Sequence, residues 1–380
     1  MKYWDKYRKD EIKMSEALKF RRDLHKIPEL GMELPKTYAY IKNVLKTLPC
    51  EIFSPIPYSV CAFFDAGREK TVAFRSDMDA LPVEEKTGRD FASEYPGRMH
   101  ACGHDGHMAM LLTFALRLSE IYQTLPNNIL LIFQPGEENP GGAGPLCETG
   151  FLEKYHVKRI YGCHLWPMLP KGAVASRKNE MMARSSEINI DITGKAAHAA
   201  KYKEGIDALE YGAQMLTDIY TMEKEEIGKD VYRLLRFGRM ESGTIRNVVS
   251  SHTRIEGTMR AFQDEIYDYM KRRIHEIARG YDEKYGLKTE IDINTGYPAV
   301  MNDPQLYDET MAFLGQDSVT ALETPEMITE DFAYYQKYVP GMFFFLGTGT
   351  GIALHADHFD FDEAVLDEGV GLYLKLCKMP

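Results

Sequence analysis

The sequence is short of positive charge: 46 Lys and Arg stand against 57 Asp and Glu, a formal net charge of -11. Nucleic acids are held mainly by neutralising their phosphates, so this balance argues against DNA or RNA as a partner. No apolar run is long enough to span a bilayer. The first ten residues, Met1-Lys-Tyr-Trp-Asp-Lys-Tyr-Arg-Lys-Asp10, are charged where a secretory leader would be apolar. The six cysteines (Cys50, Cys61, Cys102, Cys147, Cys163 and Cys377) are scattered rather than spaced as a disulfide framework, which points to a reducing compartment. The expectation is a cytoplasmic protein with no membrane partner. Internal repeats and low-complexity tracts are also missing, so solenoid and disordered classes fall away. What remains is a globular composition, 44% hydrophobic over 380 residues, too long for one ordinary core and best read as two domains.

Polar chemistry concentrates in Met99-His-Ala-Cys-Gly-His-Asp-Gly-His107, followed at once by an apolar run from Met108 to Leu118. Cys102 and His104 flank Gly103, so a tight turn can aim both at one point. A thiolate and an imidazole so placed suit a borderline-soft divalent ion such as zinc. The alternative for the same stretch is a His-rich helix start whose imidazoles only pack or cap.

Four buried-strand patterns surround this motif, each followed by metal-competent residues. Thr71–Arg75 leads to Asp77 and Asp79, and 128–133 leads to Glu137 and Glu138. Arg159–Cys163 leads to His164, and 341–346 leads through a Gly-rich loop to His355. Open α/β sheets place ligands at the carboxyl ends of their strands. The two aspartates have a plain alternative as helix-capping turn residues.

The texture changes from Ser186 onward. Ser186–Thr193 alternates polar and apolar residues, as a half-buried strand does, and 207–222 reads as a helix. Strands at 233–238 and 252–259 follow, then a helix with Ile266, Met270, Ile274, Ile277 and Tyr281 on one face, then a strand at 289–293. The order β-α-β-β-α-β predicts a ferredoxin-like unit inserted into a larger α/β domain.

Met99–His107, Arg75-Ser-Asp-Met-Asp-Ala-Leu-Pro82 and Phe133-Gln-Pro-Gly-Glu-Glu138 resemble the M20 metallopeptidases, in their amidohydrolase branch. Gly194-Lys-Ala-Ala-His198, Asn247-Val-Val, Glu330-Asp-Phe332 and Leu354-His355 fit the same pattern, and the resemblance runs from about Arg22 to the C-terminus. It implies an α/β fold: a two-segment zinc-peptidase-like catalytic domain (1–184 and 298–380) around an inserted ferredoxin-like α+β lid and dimerisation domain (185–297).

The resemblance implies roles residue by residue. Cys102, His104, Glu138, His164 and His355 become ligands of a centre with two divalent metal ions, zinc first, with manganese, nickel or cobalt as alternatives. Glu137 becomes the general base and Asp77 a supporting carboxylate. His198 becomes the oxyanion stabiliser, and Asn247 and Arg260 become the grip on a substrate carboxylate. His25, His107, His252 and His358 are left structural, and Trp166 either walls the acyl pocket or packs. Gly136 departs from the alanine common in relatives. Lys195-Ala-Ala-His198 departs from the usual Gly-Gly-His run, and the loop after it lacks the usual proline. The implied reaction is hydrolysis of N-acyl amino acids by a homodimer formed through the inserted domain. The alternatives are a dipeptidase or carboxypeptidase of the same family and a metal-holding module without catalysis.

Overall fold

The computed structural model describes residues 8–380, which divide into two compact units. The first comprises residues up to Met181 together with Met301–Thr324 and Asp331–Pro380. Its core is an eight-stranded sheet ordered Glu51–Phe53, Val60–Phe64, Asn128–Gln134, Thr71–Asp77, Val157–Trp166, Gly341–Gly347, Val174–Ser176, Thr320–Ala321. The middle four strands run parallel, with Asp77 beside Gln134 and His164 beside Phe345. Thr71–Asp77, Asn128–Gln134 and Gly341–Gly347 are buried along their whole length. That explains the apolar runs they carry, Val72–Phe74, Ile129–Phe133 and Met342–Leu346, since a parallel sheet is covered on both faces.

The helix His104–Ile121 packs on this sheet and is buried throughout its first three turns. It reads as apolar on every side because the helices Arg8–His25 and Val365–Leu376 cover it from outside. One boundary differs from the sequence reading. His164 lies within the strand Val157–Trp166 rather than after it, because pairing with Phe345–Gly347 carries the strand three residues further.

The second unit comprises Met182–Val300 with Pro325–Glu330. Its strands Arg184–Thr193, Arg233–Ser242, His252–Ala261 and Lys288–Ile293 form one antiparallel sheet, in the order fourth, first, third, second. The helices Ala208–Glu225 and Asp264–Tyr285 pack against it through Met215, Ile219, Tyr267, Met270 and Ile274. Asp207 caps the former by accepting from the N–H groups of Leu209 and Glu210. Among the described residues, no helix is long and apolar enough to cross a membrane, and all six cysteines are free thiols.

Candidate active site

The turn before the central helix does what its two glycines allow. Gly103 is left-handed, with φ +85°, and caps the helix that begins at His104. A Cβ at Gly106 would meet Leu165 at 2.8 Å and Phe361 at 2.9 Å, so only glycine lets this first turn sit so close to the sheet. Cys102 Sγ thereby reaches 3.4 Å from His164 Nε2.

The imidazoles are oriented by backbone carbonyls. His104 Nδ1 donates to Asp79 O at 2.7 Å, and His164 Nδ1 donates to Leu165 O at 2.7 Å. A carbonyl only accepts, so the lone pair of each neutral ring sits on Nε2, as a metal ligand requires. His107 differs. Its Nδ1 donates to Asp77 Oδ1 at 2.7 Å while its Nε2 accepts from the Leu165 N–H at 2.9 Å. Both nitrogens are engaged, so the ring fixes Asp77 and the strand end and has no lone pair to offer.

The donor atoms gather in overlapping sets. Cys102, His104 and His164 each bring one atom within 4.8 Å of the others, and so do Cys102, Glu138 and His355. Cys102 belongs to both. His104, Glu137 and Glu138 make a third such set. His104 Nε2 and Glu138 Oε1 lie 3.9 Å apart, both buried and without a hydrogen-bond partner. His355 Nε2 stands 3.2 Å from that same oxygen, on a residue held at φ +67°, a conformation that costs a non-glycine residue energy.

The charges ask for a cation. Burial works against a charged His104, yet Asp77, Asp79 and Glu138 outweigh it and raise the ring to about 10. Burial, then Glu138, Glu137 and Asp77, push the Cys102 thiol well above its ordinary range. Soft and borderline donors with unpartnered buried lone pairs and surplus negative charge fit divalent metal.

The model of the peptidase family M20/M25/M40 matches residues 73–379. The chain belongs to this family. It is 34% identical to an N-acetyldiaminopimelate deacetylase from Anoxybacillus flavithermus, across 93% of this chain and 94% of the relative. It is 33% identical to another from Priestia megaterium, across 95% and 97%. Among solved structures, a dinuclear metal-binding peptidase of the M20 family from Bacillus subtilis superposes with a TM-score of 0.84 at 28% identity, covering 97% of this chain and 98% of that one.

Within this M20 chain, Asp77 and Asp79 hold different parts of the cluster. Asp77 is 3.7 Å from His104 Nε2, clamped between His107 and Arg75 Nη1 at 2.9 Å. Arg75 extends the clamp to Gln134 and, at 2.6 Å, to Asp331. Asp79 instead holds the glutamate pair, accepting from Glu137 N at 2.9 Å and Glu138 N at 3.0 Å. The sequence left Asp79 undistinguished because its partners lie 58 and 59 residues away. The glycine departure is also explained. Gly136 has φ +72°, and a Cβ there would come 2.3 Å from Met32 Sδ.

His198, Asn247 and Arg260 all lie in the second unit. His198 bridges Val248, and Ala199 N donates to Asn247 O at 3.0 Å, so those two residues are neighbours. Asn247 sits in the loop joining the strands Arg233–Ser242 and His252–Ala261. Arg260 lies at the far end of the next strand, paired with Leu234 and Ser185. At ~3.3 Å per residue, that places Arg260 about 25 Å from the loop. The pairing register thus separates Asn247 and Arg260 within the chain. Trp166 stacks on Phe345, with ring centroids 4.5 Å apart.

Proposed function

We propose that this chain is a metal-dependent amidohydrolase that cleaves the amide of N-acyl amino acids into a carboxylic acid and a free amino acid. The observation that carries this reading is the glutamate pair anchored by Asp79, set against donor groups that share Cys102. Cys102, His104, Glu138, His164 and His355 would hold two divalent ions, zinc being the first choice for a thiolate–imidazole–carboxylate set. Such ions supply Lewis acidity toward a carbonyl and lower the pKa of water.

The chain's own residues do the rest. With Glu137 N and Glu138 N fixed on the two oxygens of one carboxylate, the turn brings both side chains beside His104, so Glu138 can ligate while Glu137 serves as base. Glu137 takes a proton from the attacking water and delivers it to the amide nitrogen as the C–N bond breaks. Asp77, held ionised by His104, His107 and Arg75 against the cost of burial, supports the charge of the cluster. Ala200 N–H donates to His198 Nδ1 at 3.1 Å, so the neutral ring carries its proton on Nε2. That proton is the one needed to stabilise an oxyanion.

The second unit takes the role of a ferredoxin-like lid and dimerisation domain. A substrate the size of an amino acid cannot span from Asn247 to Arg260 of one subunit. Their separation therefore supports a homodimer in which the His198–Asn247 corner of one subunit and Arg260 of the other serve one site. The relatives' activity supports an acetyl group as the acyl part. Purified protein given N-acetyldiaminopimelate, other N-acetyl and N-benzoyl amino acids, and dipeptides tests the reading. Acyl amino acids should turn over, chelation should abolish turnover, and a divalent ion should restore it. Cleavage of dipeptides alone would reassign the chain to peptidase chemistry.

A further inference from the structure

The Arg21–His25 end of the first helix lies outside every role assigned above, yet Arg21 is fully buried. Its guanidinium reaches two separate pieces of the candidate centre. Nε donates to Asp105 Oδ2 at 3.1 Å, and Asp105 directly follows His104. Nη2 donates to Asp360 Oδ1 at 2.5 Å, and Nη1 donates to Phe361 O at 3.4 Å, both on the loop that leaves His355. The guanidinium also lies 3.8 Å from the centroid of the Phe361 ring. That ring packs on the first turn of the central helix, where it leaves no room for a Cβ at Gly106.

The surrounding charges hold each of the two segments to its neighbours. His25 Nδ1 donates to the Asp105 oxygen that Arg21 holds, at 2.8 Å. Arg89 holds the other oxygen of Asp360 at 2.5 Å, Lys86 holds Asp357 at 2.6 Å, and Arg22 holds Glu363 at 2.6 Å. At the level of the ligands, the described link between the two segments is a single backbone hydrogen bond, His355 N to Ala101 O at 2.9 Å. His355 itself is side-chain exposed and conformationally strained, so its position depends on what anchors the loop behind it.

We propose that Arg21 is a positioning residue that holds the His104 segment and the His355 loop at one spacing, and so sets how tightly the centre binds the ion that His355 ligates. This rests on the two-metal reading above. Only a forked, planar cation can serve two carboxylates and a carbonyl at once; a lysine ammonium keeps the charge but not the fork. Residues behind metal ligands typically change affinity by about 10–100-fold when removed.

The test is zinc titration of metal-free parent, Arg21→Lys and Asp360→Asn against a competing chelator, with circular dichroism to confirm folding. Cobalt(II) absorption then reports ligand geometry. The parent should take two ions. Both variants should keep one at parental affinity and bind the other about 10–100-fold more weakly, with an altered cobalt spectrum. Asp360 is partly exposed, so its variant decides the matter should Arg21→Lys fail to fold. Folded variants that bind both ions as tightly as the parent would overturn the role of Arg21 and leave the metal centre standing. A parent that takes no stoichiometric zinc would overturn the centre and this inference together.

Discussion

Asp79 holds Glu137 by its backbone: Oδ1 accepts from the Glu137 N–H at 2.9 Å, while Oδ2 takes the next N–H along. An asparagine offers one acceptor where two N–H groups need one each, and its amide would face the second N–H donor to donor. Losing a hydrogen bond to a charged group costs roughly 1.5–3 kcal/mol. Asp79→Asn should therefore lower kcat by about tenfold or more with the fold intact. Kinetics on an N-acetyl amino acid with metal analysis of the same samples checks this; unchanged kcat would release Asp79 from the site.

Base and ligand should separate cleanly. Glu137→Gln should keep its metal while kcat falls by about 10²–10⁴, the range for general acid–base help. Glu138→Gln should lose metal as well. Near-normal turnover by metal-replete Glu137→Gln would refute the assignment.

Subunit mixing tests the shared site. His198→Ala and Arg260→Ala should each be nearly inactive alone. Mixed through reversible dissociation, they should regain about a quarter of parental activity, because half of a random mixture is heterodimer with one intact site of two. No recovery, with exchange confirmed by mass spectrometry, would place both residues in one subunit's site.

Gly136→Ala should destabilise the protein. A left-handed alanine costs about 1–2 kcal/mol, and Met32 must move besides. Adding Met32→Ala should recover only part of the lost Tm, since the backbone strain remains. Calorimetry of both variants measures the split.

His25 makes stability depend on pH. Burial opposes its charge, but Asp105 and Glu85 prevail and lift it from 6.5 to about 9. A raised pKa means the folded state holds a proton that the unfolded state has lost. The contribution is therefore complete below about pH 6.5 and disappears as pH rises through about 9. Urea unfolding across that window should show parental stability falling, and His25→Gln should flatten the fall. Equal slopes in both proteins would refute it.

The sequence by itself determined what depends on neighbours along the chain. The apolar runs of the strands, the alternation of Ser186–Thr193 and the Cys102-Gly-His104 turn all announce themselves locally. The donor residues could be named because each follows a recognisable strand or turn. Tertiary structure alone decided which nitrogen carries a lone pair. His104 and His107 look alike in sequence, but only His107 meets an N–H from 58 residues away, and that removes it as a donor. It likewise decided that Asp79 rather than Asp77 grips the glutamate pair, and that the strand register sets Asn247 apart from Arg260. Arg21 makes the same point, since its partners lie 84 and 339 residues along the chain. Hydrogen bonds are short and directional, so two residues distant in sequence become partners only when the packing of sheet and helix has fixed their places to within an ångström.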